Sequence, residues 1–504
     1  MRRRAFLGLV LAAPTVAWVG LPTLTSAVGR TRPVPPTVRR LALSGIDRTA
    51  ASSLRVRGSL PGSPSLLMAP RDTEGFSLLG VTWRPDPTVQ VVAQVRTRTG
   101  GRWTDWTALD PQGEHRPDGG NDVAGALRDG TAPRWVGPSD GVQVRLDVLA
   151  GRPRDVGVEL VDPGTSPADD RRAGPRAVAF ADAARPTIIT RAQWGADESI
   201  RRGNPSYNTT VKVGFVHHTA SSNDYTPDQA AAMVRGIYAY HVKSNGWSDI
   251  GYNYLVDRYG RAYEGRAGGL DRFVIGAHTG GFNKDSFAVS LLGDFTTVPP
   301  SQATVGMTVK LLAWKLGSAY RDPKGTAVLT SAGGGTSKYP AGTNVTFDVV
   351  SGHRDAGSTS CPGNTTYARL PGIRDSVVAE LGPAFADPMV NETDFALASP
   401  GPVTVTARTL DLMSWTATAL DAKGTELRTV TGTEPSVDFS WDLTGADGRP
   451  VPAGTYAVRL TGVNGESRAL TYSASVVVDA PLCRGTPIQR ALCRARQRAA
   501  RGTR

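Results

Sequence analysis

A histidine and a cysteine, His353 and Cys361, bracket a seven-residue loop inside the string S-G-H-R-D-A-G-S-T-S-C-P-G. A second imidazole, His217, lies far upstream in the string V-H-H-T-A, at the end of a predicted strand. Two imidazoles and one thiolate are donors that zinc prefers, and a site with three protein ligands leaves a fourth position open for chemistry. The fold must therefore bring the end of an upstream strand next to the loop from His353 to Cys361.

The histidines and cysteines are distributed unevenly along the chain. Five of the 6 histidines lie between residues 217 and 353, and only His115 lies outside this region. Of the 3 cysteines, Cys483 and Cys493 are near enough in sequence to close a small disulfide loop. Cys361 then has no cysteine left with which to form a disulfide. Zinc ligation would protect such a thiol from oxidation.

The N-terminus predicts export. Residues 1–27 combine three consecutive arginines, an apolar run and the small residues T-S-A, which is the pattern of a secretory signal. The order R-R-A-F-L favours a twin-arginine signal, and an ordinary general-secretion signal is the open alternative. Glycines and prolines interrupt an apolar run that is already short for a membrane helix. We therefore expect a secreted protein without a permanent membrane span.

The formal net charge of +12 is concentrated at the two ends of the chain. Residues 481–504 contain seven arginines and no acidic residue, and three more arginines begin the chain. The residues between are nearly neutral, which argues against nucleic-acid binding. The arginine tail is either a solvated segment or one that adheres to an anionic cell-wall polymer or membrane surface.

The chain is too long for one hydrophobic core, and its texture changes along its length. Residues 50–163 and 394–480 alternate polar and apolar residues in short runs, which predicts two β-sandwiches. Residues 187–383 mix strand and helix patterns and predict an α/β domain, with a mixed sheet flanked by helices. Residues 164–186 lack periodicity and predict a linker. Four tryptophans of the first sandwich are interpreted as core residues, with carbohydrate or wall binding as the alternative: Trp83, Trp103, Trp106 and Trp135.

The elements of the α/β domain can be predicted in order. The string V-K-V-G-F-V-H-H predicts a strand, and Thr226 followed by Pro227 predicts the cap and first residue of a helix. We expect a hairpin over Y-N-Y-L-V-D-R-Y-G-R-A-Y-E-G-R, a strand over F-A-V-S-L-L-G-D-F and a helix at 305–320. A single strand over 345–350 would lead into the second histidine of the site. The Gly- and Ser-rich stretch 324–344 is a loop insertion or a hairpin.

Six strings occur in a characteristic order: R-A-Q-W-G-A, V-H-H-T-A, D-I-G-Y-N-Y, E-G-R, G-A-H-T-G-G-F-N and G-H-R-D-x5-C-P-G. In this order they resemble type 2 N-acetylmuramoyl-L-alanine amidases, peptidoglycan recognition proteins and phage amidase lysozymes. The resemblance covers about residues 188–381. The second sandwich resembles the Ig-like module of flagellar hook-capping proteins, which is usually a spacer or an adhesin.

The resemblance implies roles for matching residues. Three side chains match the family's zinc ligands: His217, His353 and Cys361. His218 lies on the other face of the strand and is expected to be structural. Tyr252 matches a tyrosine that helps to orient and activate the attacking water, and Thr359 matches the residue that holds the developing oxyanion. Four residues are expected to line a peptidoglycan groove, with simple packing as the alternative for each: His241, Trp247, His278 and Asn283.

These observations favour a secreted, cell-wall-associated zinc amidase that cleaves the amide between N-acetylmuramic acid and L-alanine in peptidoglycan. Relatives that only bind peptidoglycan commonly lack the cysteine ligand, and Cys361 is present here. The alternative is a non-catalytic peptidoglycan-binding or surface-adhesion protein with the same fold. A zinc peptidase is disfavoured because no H-E-x-x-H string occurs.

Overall fold

The computed structural model of the chain describes residues 33–112, 116–118, 127–167, 169, 185–334, 337–396, 401–412 and 414–479. The predicted signal peptide, most of the predicted linker, the arginine tail and the Cys483–Cys493 pair lie outside these residues. Among the helices that are described, none has the length and apolar character needed to cross a bilayer.

In the N-terminal unit the described residues form one antiparallel sheet of ten strands. Its strands are β1 (Thr37–Ala42), β2 (Leu66–Leu67), β3 (Arg71–Trp83), β4 (Gln90–Thr99), β5 (Arg102–Trp103), β6 (Thr107–Leu109), β7 (Pro111–Gln112), β8 (Asp129–Thr131), β9 (Arg134–Ala150) and β10 (Gly157–Asp162). The long strands β3 and β9 pair with register shifts, which let the sheet bend around its core. Trp83, Trp106 and Trp135 are buried, as predicted for core residues, and Trp103 is half-buried beneath the guanidinium of Arg96.

The central domain contains the predicted mixed sheet. Its strands are β11 (Ile188–Ile189), β12 (Val213–His218), β13 (Tyr254–Val256), β14 (Ala262–Glu264), β15 (Ser286–Leu291) and β18 (Val350–Gly352), in the spatial order β11-β14-β13-β15-β12-β18. The predicted hairpin forms from β13 and β14, which are antiparallel, while β13, β15, β12 and β18 run parallel to one another. Such a sheet is buried on both faces, so β12 and β15 contain no exposed residue.

Helices cover both faces of this sheet. They are α1 (Arg191–Trp194), α2 (Gln229–Ala239), α3 (Gln302–Ser318), α4 (His353–Ala356), α5 (Asn364–Tyr367) and α6 (Leu370–Leu381), and a π-helical turn (Tyr240–Ser244) extends α2. The helix α2 packs in one core with Leu255 and Ala288 of the sheet, whereas α3 and α6 pack in the other. The side-chain hydroxyl of Ser301 accepts a hydrogen bond from the N–H of Thr304 at 3.1 Å and caps α3.

Two details of this domain differ from the prediction. The helix α2 begins at Gln229 rather than at Pro227, because the chain first makes a turn in which the N–H of Gln229 donates to the carbonyl of Thr226. The expected single strand over 345–350 is divided between β17 (Asn344–Asp348) and β18. The strand β17 pairs with β16 (Thr326–Thr330) in a separate hairpin. Of the two alternatives for residues 324–344, a loop insertion or a hairpin, the structure therefore shows the hairpin.

The C-terminal unit is a sandwich of two sheets around a core that includes Trp415, Phe439 and Trp441. One sheet contains β19 (Ala384–Val390), β21 (Val403–Leu410) and β24 (Ser436–Trp441). The other contains β20 (Asp394–Ala396), β22 (Ser414–Leu420), β23 (Glu426–Gly432), β25 (Gly454–Asn464), β26 (Ser467–Arg468) and β27 (Tyr472–Asp479). The first strand of this unit follows α6 directly, and its Ala384 is buried in the core of the central domain.

The N-terminal unit and the central domain share a hydrophobic core. The phenol of Tyr240 donates a hydrogen bond to the carbonyl of Thr131 at 3.0 Å. The ring fits against the N-terminal sheet because residue 80 is a glycine, and a Cβ at Gly80 would overlap the ring. Three residues of the N-terminal sheet are buried in the same cluster as α2: Leu78, Trp135 and Val161.

Candidate metal centre

Three parallel strands bring the predicted metal ligands together. The strand β12 lies between β15 and β18, and its register with β18 places His217 and His353 at the same end of the sheet. The carboxyl ends of parallel strands are where α/β folds gather their functional loops. The N–H of Arg354 donates to the carbonyl of Cys361 at 2.9 Å, so the loop that follows α4 closes on itself.

The three side chains form a compact donor cluster. One ligand atom each from His217, His353 and Cys361 lies within 4.8 Å of the other two. Nδ1 of His217 is 3.7 Å from Sγ of Cys361, and the two imidazole centroids are 4.5 Å apart. A tetrahedral zinc ion with bonds of about 2.0–2.3 Å separates its ligand atoms by about 3.5 Å. Small side-chain adjustments would bring all three donors onto one ion, so the residues present fit zinc.

Neighbouring groups orient these ligands. Nε2 of His217 lies 3.2 Å from the hydroxyl of Thr279, which leaves Nδ1, the nitrogen that faces Cys361, to bind a metal. A second ring nitrogen held in this way is usual for metal-ligating histidines. The backbone N–H of His218 donates to Sγ of Cys361 at 3.4 Å and so favours the thiolate. Sequence reasoning missed Thr279, for which the signal was its place in the string G-A-H-T.

The imidazole of His218 is buried among groups other than the metal ligands. Its Nδ1 accepts a hydrogen bond from the N–H of Phe295 at 3.2 Å. Carboxylate oxygens of Asp110 and Asp294 each lie 3.9 Å from one of its nitrogens. Burial lowers the pKa of His218 to about 4, against the opposing effect of Asp294. Burial raises the pKa of Asp110 to about 6, and repulsion from Asp294 adds to this.

Tyr252 lies between the metal cluster and a pair of predicted groove residues. Its ring centroid is 5.7 Å from that of His217 and 5.8 Å from that of His241. Trp247 stacks on His241 with a centroid distance of 4.4 Å. The N–H of Gly251 donates to Nδ1 of His241 at 3.1 Å, so the imidazole hydrogen is on Nε2. That buried Nε2 has no hydrogen-bond partner within the described part of the chain. Burial lowers the pKa of His241 to about 3.

His278 and Asn283 belong to one loop. Nδ1 of His278 is 2.9 Å from the hydroxyl of Thr279, and its buried Nε2 makes no hydrogen bond to any residue that the structure describes. Burial lowers the pKa of His278 well below its ordinary value. The side-chain oxygen of Asn283 accepts from the N–H groups of His278 and Thr279 at 2.7 and 3.0 Å. The side-chain nitrogen of Asn283 donates to the carbonyl of Arg116 and to the carboxylate of Asp118, both in the N-terminal unit.

Thr359 lies in the loop between the last two ligands. Its hydroxyl accepts a hydrogen bond from the N–H of Cys361 at 3.0 Å. Its side chain also lines an open cleft of about 520 Å³, together with Arg354 and with Lys338 and Tyr339 from the connection between β16 and β17. The predicted oxyanion residue therefore lies at the boundary between the metal-binding loop and this cleft.

Comparison with known families assigns a match to each unit. Residues 43–175 match the Rv3811 N-terminal galactose-binding domain-like family. Residues 207–364 match the N-acetylmuramoyl-L-alanine amidase family. Residues 399–466 match the FlgD Ig-like domain, which confirms the resemblance of the second sandwich.

Individual relatives are similar to the central domain. Peptidoglycan-recognition protein SC2 of Drosophila melanogaster is 32% identical over 184 residues, which are 36% of this chain and 84% of that protein. A human N-acetylmuramoyl-L-alanine amidase is 32% identical over 194 residues, which are 37% of this chain and 28% of that protein. Among solved structures, wild-type Drosophila PGRP-LB aligns with a TM-score of 0.29 and 24% identity, over 36% of this chain and 92% of that one.

Proposed function

Because the chain belongs, through its central domain, to the family of N-acetylmuramoyl-L-alanine amidases and peptidoglycan recognition proteins, we propose that it is a zinc-dependent amidase. The bond cleaved is the amide between N-acetylmuramic acid and L-alanine in peptidoglycan, outside the cell. The observation that supports hydrolysis is the cluster of His217, His353 and Cys361, whose three donors leave a coordination position for the reaction. The arginine tail would contribute by adhering to anionic wall polymers.

Each residue of the site has its own role in the proposed hydrolysis. When bound, zinc lowers the pKa of water and polarises the scissile carbonyl. The hydroxyl of Thr279 would accept from Nε2 of His217 and so leave Nδ1 for the metal, and the N–H of His218 would stabilise the thiolate of Cys361. In this proposal Tyr252, whose ring lies 5.7 Å from that of His217, orients the attacking water, and Thr359, which precedes Cys361 by two residues, holds the developing oxyanion.

The groove residues would bind the peptidoglycan stem. Nε2 of His241 and Nε2 of His278 are buried donors without a hydrogen-bond partner in the described structure. Burial keeps both imidazoles neutral, so each offers one N–H to a carbonyl of the substrate. The same two donors support the second candidate function, in which the chain holds a muropeptide without cleaving it.

The decisive experiment is mass spectrometry of muropeptides after incubation with the purified full-length chain. Free stem peptides that begin with L-alanine are expected with zinc, and none after chelation. Cys361→Ala and His353→Ala should abolish release and reduce bound zinc while the fold persists. His218→Asn is the matched control, because an amide oxygen can still accept from Phe295 and activity should remain. Muropeptide binding without release by the zinc-loaded chain would establish the second candidate instead.

A further inference from the structure

Apart from Thr359, which lines the open cleft, the residues of the candidate site are closed to solvent. The exposed fraction of every predicted ligand, of the water-orienting tyrosine and of every predicted groove residue is between 0 and 3%: His217, His353, Cys361, Tyr252, His241, Trp247, His278 and Asn283. A hydrolase that acts on a wall polymer needs a groove that admits the polymer to the reacting groups. Part of the molecule must therefore move before a substrate can bind.

A short segment of the N-terminal unit is bound to the loop that carries the groove residues. The carboxylate of Asp118 accepts hydrogen bonds from the N–H of Gly281 at 2.6 Å and from the N–H of Asn283 at 3.0 Å. It also accepts from the side-chain nitrogen of Asn283 at 2.9 Å, and the carbonyl of Arg116 accepts from the same nitrogen at 3.0 Å. Pro117, between these two residues, is buried.

This arrangement removes donors from the groove. Both hydrogens of the Asn283 amide are used by residues 116–118, so none is left for a substrate. Gly281 has a φ of +85°, which turns its N–H and that of Asn283 towards the same carboxylate. A loop that presents several N–H groups in this way is a binding site for an anion, and hydrogen bonds to a carboxylate are stronger than neutral ones.

The N-terminal unit also contacts the opposite side of the site. The N–H of Arg128 donates to the carbonyl of Asn245 at 3.2 Å, directly after the π-helical turn that carries His241. The Tyr240 phenol, adjacent to His241, is bound to Thr131. One unit therefore touches the elements that carry the two predicted groove imidazoles, His241 and His278.

We propose that residues 116–118 are an intramolecular plug that keeps the amidase site latent, with the carboxylate of Asp118 occupying the N–H groups of Gly281 and Asn283. This inference rests on the proposed function in one respect: the substrate that competes with the plug is taken to be peptidoglycan. The shared core holds Leu78, Trp135 and Val161 of the N-terminal sheet against α2, so we assign the motion to the plug rather than to this sheet. A substrate gains access when it displaces the plug, so its apparent affinity is the intrinsic affinity multiplied by the fraction of molecules in which the plug is open.

The test compares Asp118→Ala and Asp118→Asn with the unmodified full-length chain. Asp140→Ala is the matched control, because it removes an exposed carboxylate of the same unit that pairs with Arg98 rather than with the central domain. Three quantities are measured: the rate of stem-peptide release from soluble MurNAc-tripeptide, the affinity for that muropeptide in the chelated protein, and the alkylation rate of Cys361 in the chelated protein, identified by mass spectrometry.

Asp118→Ala should increase all three quantities by about tenfold or more, Asp118→Asn by less, and Asp140→Ala should leave them unchanged. The proposal is overturned if Asp118→Ala leaves affinity and alkylation unchanged or lowers them while the protein stays folded. If no variant releases peptide but Asp118→Ala still gains affinity and Cys361 reactivity, the plug stands and the amidase proposal fails. Alkylation needs no muropeptide and therefore tests the plug independently of the substrate.

Discussion

The hydroxyl of Thr279 lies 3.2 Å from Nε2 of His217, on the side of the imidazole away from the cysteine ligand. The same hydroxyl is 2.9 Å from Nδ1 of His278. When Nε2 of His217 donates to Thr279, the hydroxyl hydrogen is left to donate to His278, whose own hydrogen must then be on Nε2. A single threonine thus couples the tautomer of a predicted metal ligand to that of a predicted groove residue.

Thr279→Val should weaken zinc binding, because valine has the shape of threonine but cannot accept the hydrogen bond from His217. Loss of such a contact typically reduces metal affinity by about 10–100-fold. Zinc affinity is measured by competition with a chromogenic chelator. Thr308→Val is the control, since that buried hydroxyl bonds only to the helix α3 backbone at Thr304 in the described structure. Equal zinc affinities in the two variants would contradict the tautomer argument.

Tyr252→Phe should lower kcat by roughly 10²-fold, the usual effect of removing one group that stabilises the transition state. Zinc content and muropeptide affinity should stay near those of the unmodified protein, because the ring remains between His217 and His241. Tyr254→Phe is the nearby control. It removes a hydroxyl that donates to the carbonyl of Leu270, and the variant should keep the kcat of the unmodified protein. A parallel loss of zinc in Tyr252→Phe would instead make the tyrosine a structural residue.

The free energy of unfolding should depend on pH through His241. Its pKa is lowered to about 3 in the folded protein, mainly by burial and also by Arg266, from an unfolded value of about 6.5. Between these values the unfolded chain binds a proton that the folded chain excludes, so stability falls as the pH decreases from about 6.5 to about 3.

His241→Asn keeps an acceptor for the N–H of Gly251 and removes the titration. The stability of the unmodified protein relative to this variant should therefore decrease by about 1–3 kcal/mol between pH 7.5 and pH 4.5. Urea unfolding of the zinc-free proteins at both pH values measures this difference. An identical pH dependence in the two proteins would exclude His241 as its source.

Tyr240→Phe should loosen the docking of the N-terminal unit. The change leaves the buried carbonyl of Thr131 without the donor it has in this structure, which costs about 1–3 kcal/mol. Hydrogen exchange should accelerate in β3 and β8. Tyr238→Phe loses a hydroxyl that bonds within the central domain, to Asp197, and should leave exchange in β3 and β8 unchanged. Unaltered exchange in both variants would show that this hydrogen bond contributes little to docking.

The metal cluster could be predicted because its signals are local. His353 and Cys361 are close in sequence, and His217 is the penultimate residue of a strand whose apolar pattern is continuous, so parallel pairing with β18 brings the three together. The prediction of one continuous strand over 345–350 was wrong, since the chain leaves the hairpin at Val349 and enters the main sheet at Val350. Val349 and Val350 are both β-branched, so the single Asp348 before them was too weak a signal to mark the change of sheet.

Asp118 could not have been predicted. It contacts Gly281 and Asn283, which are far away in sequence and belong to another unit, and its neighbours form no recognisable motif. The contact of Tyr240 with Gly80 is equally non-local, because it depends on how two different sheets and a helix fit together. Periodicity and motifs are properties of one segment at a time, so they contain no information on contacts between units.

The common core of α2 and the N-terminal sheet has a practical consequence. A truncated chain that starts near the first strand of the central domain would present Met233, Ile237 and Tyr240 partly to water, now that Leu78, Trp135 and Val161 are gone. An exposed apolar surface of this kind promotes self-association. Low solubility of an excised central domain would then reflect the loss of these three core residues rather than misfolding of the metal-ligand cluster.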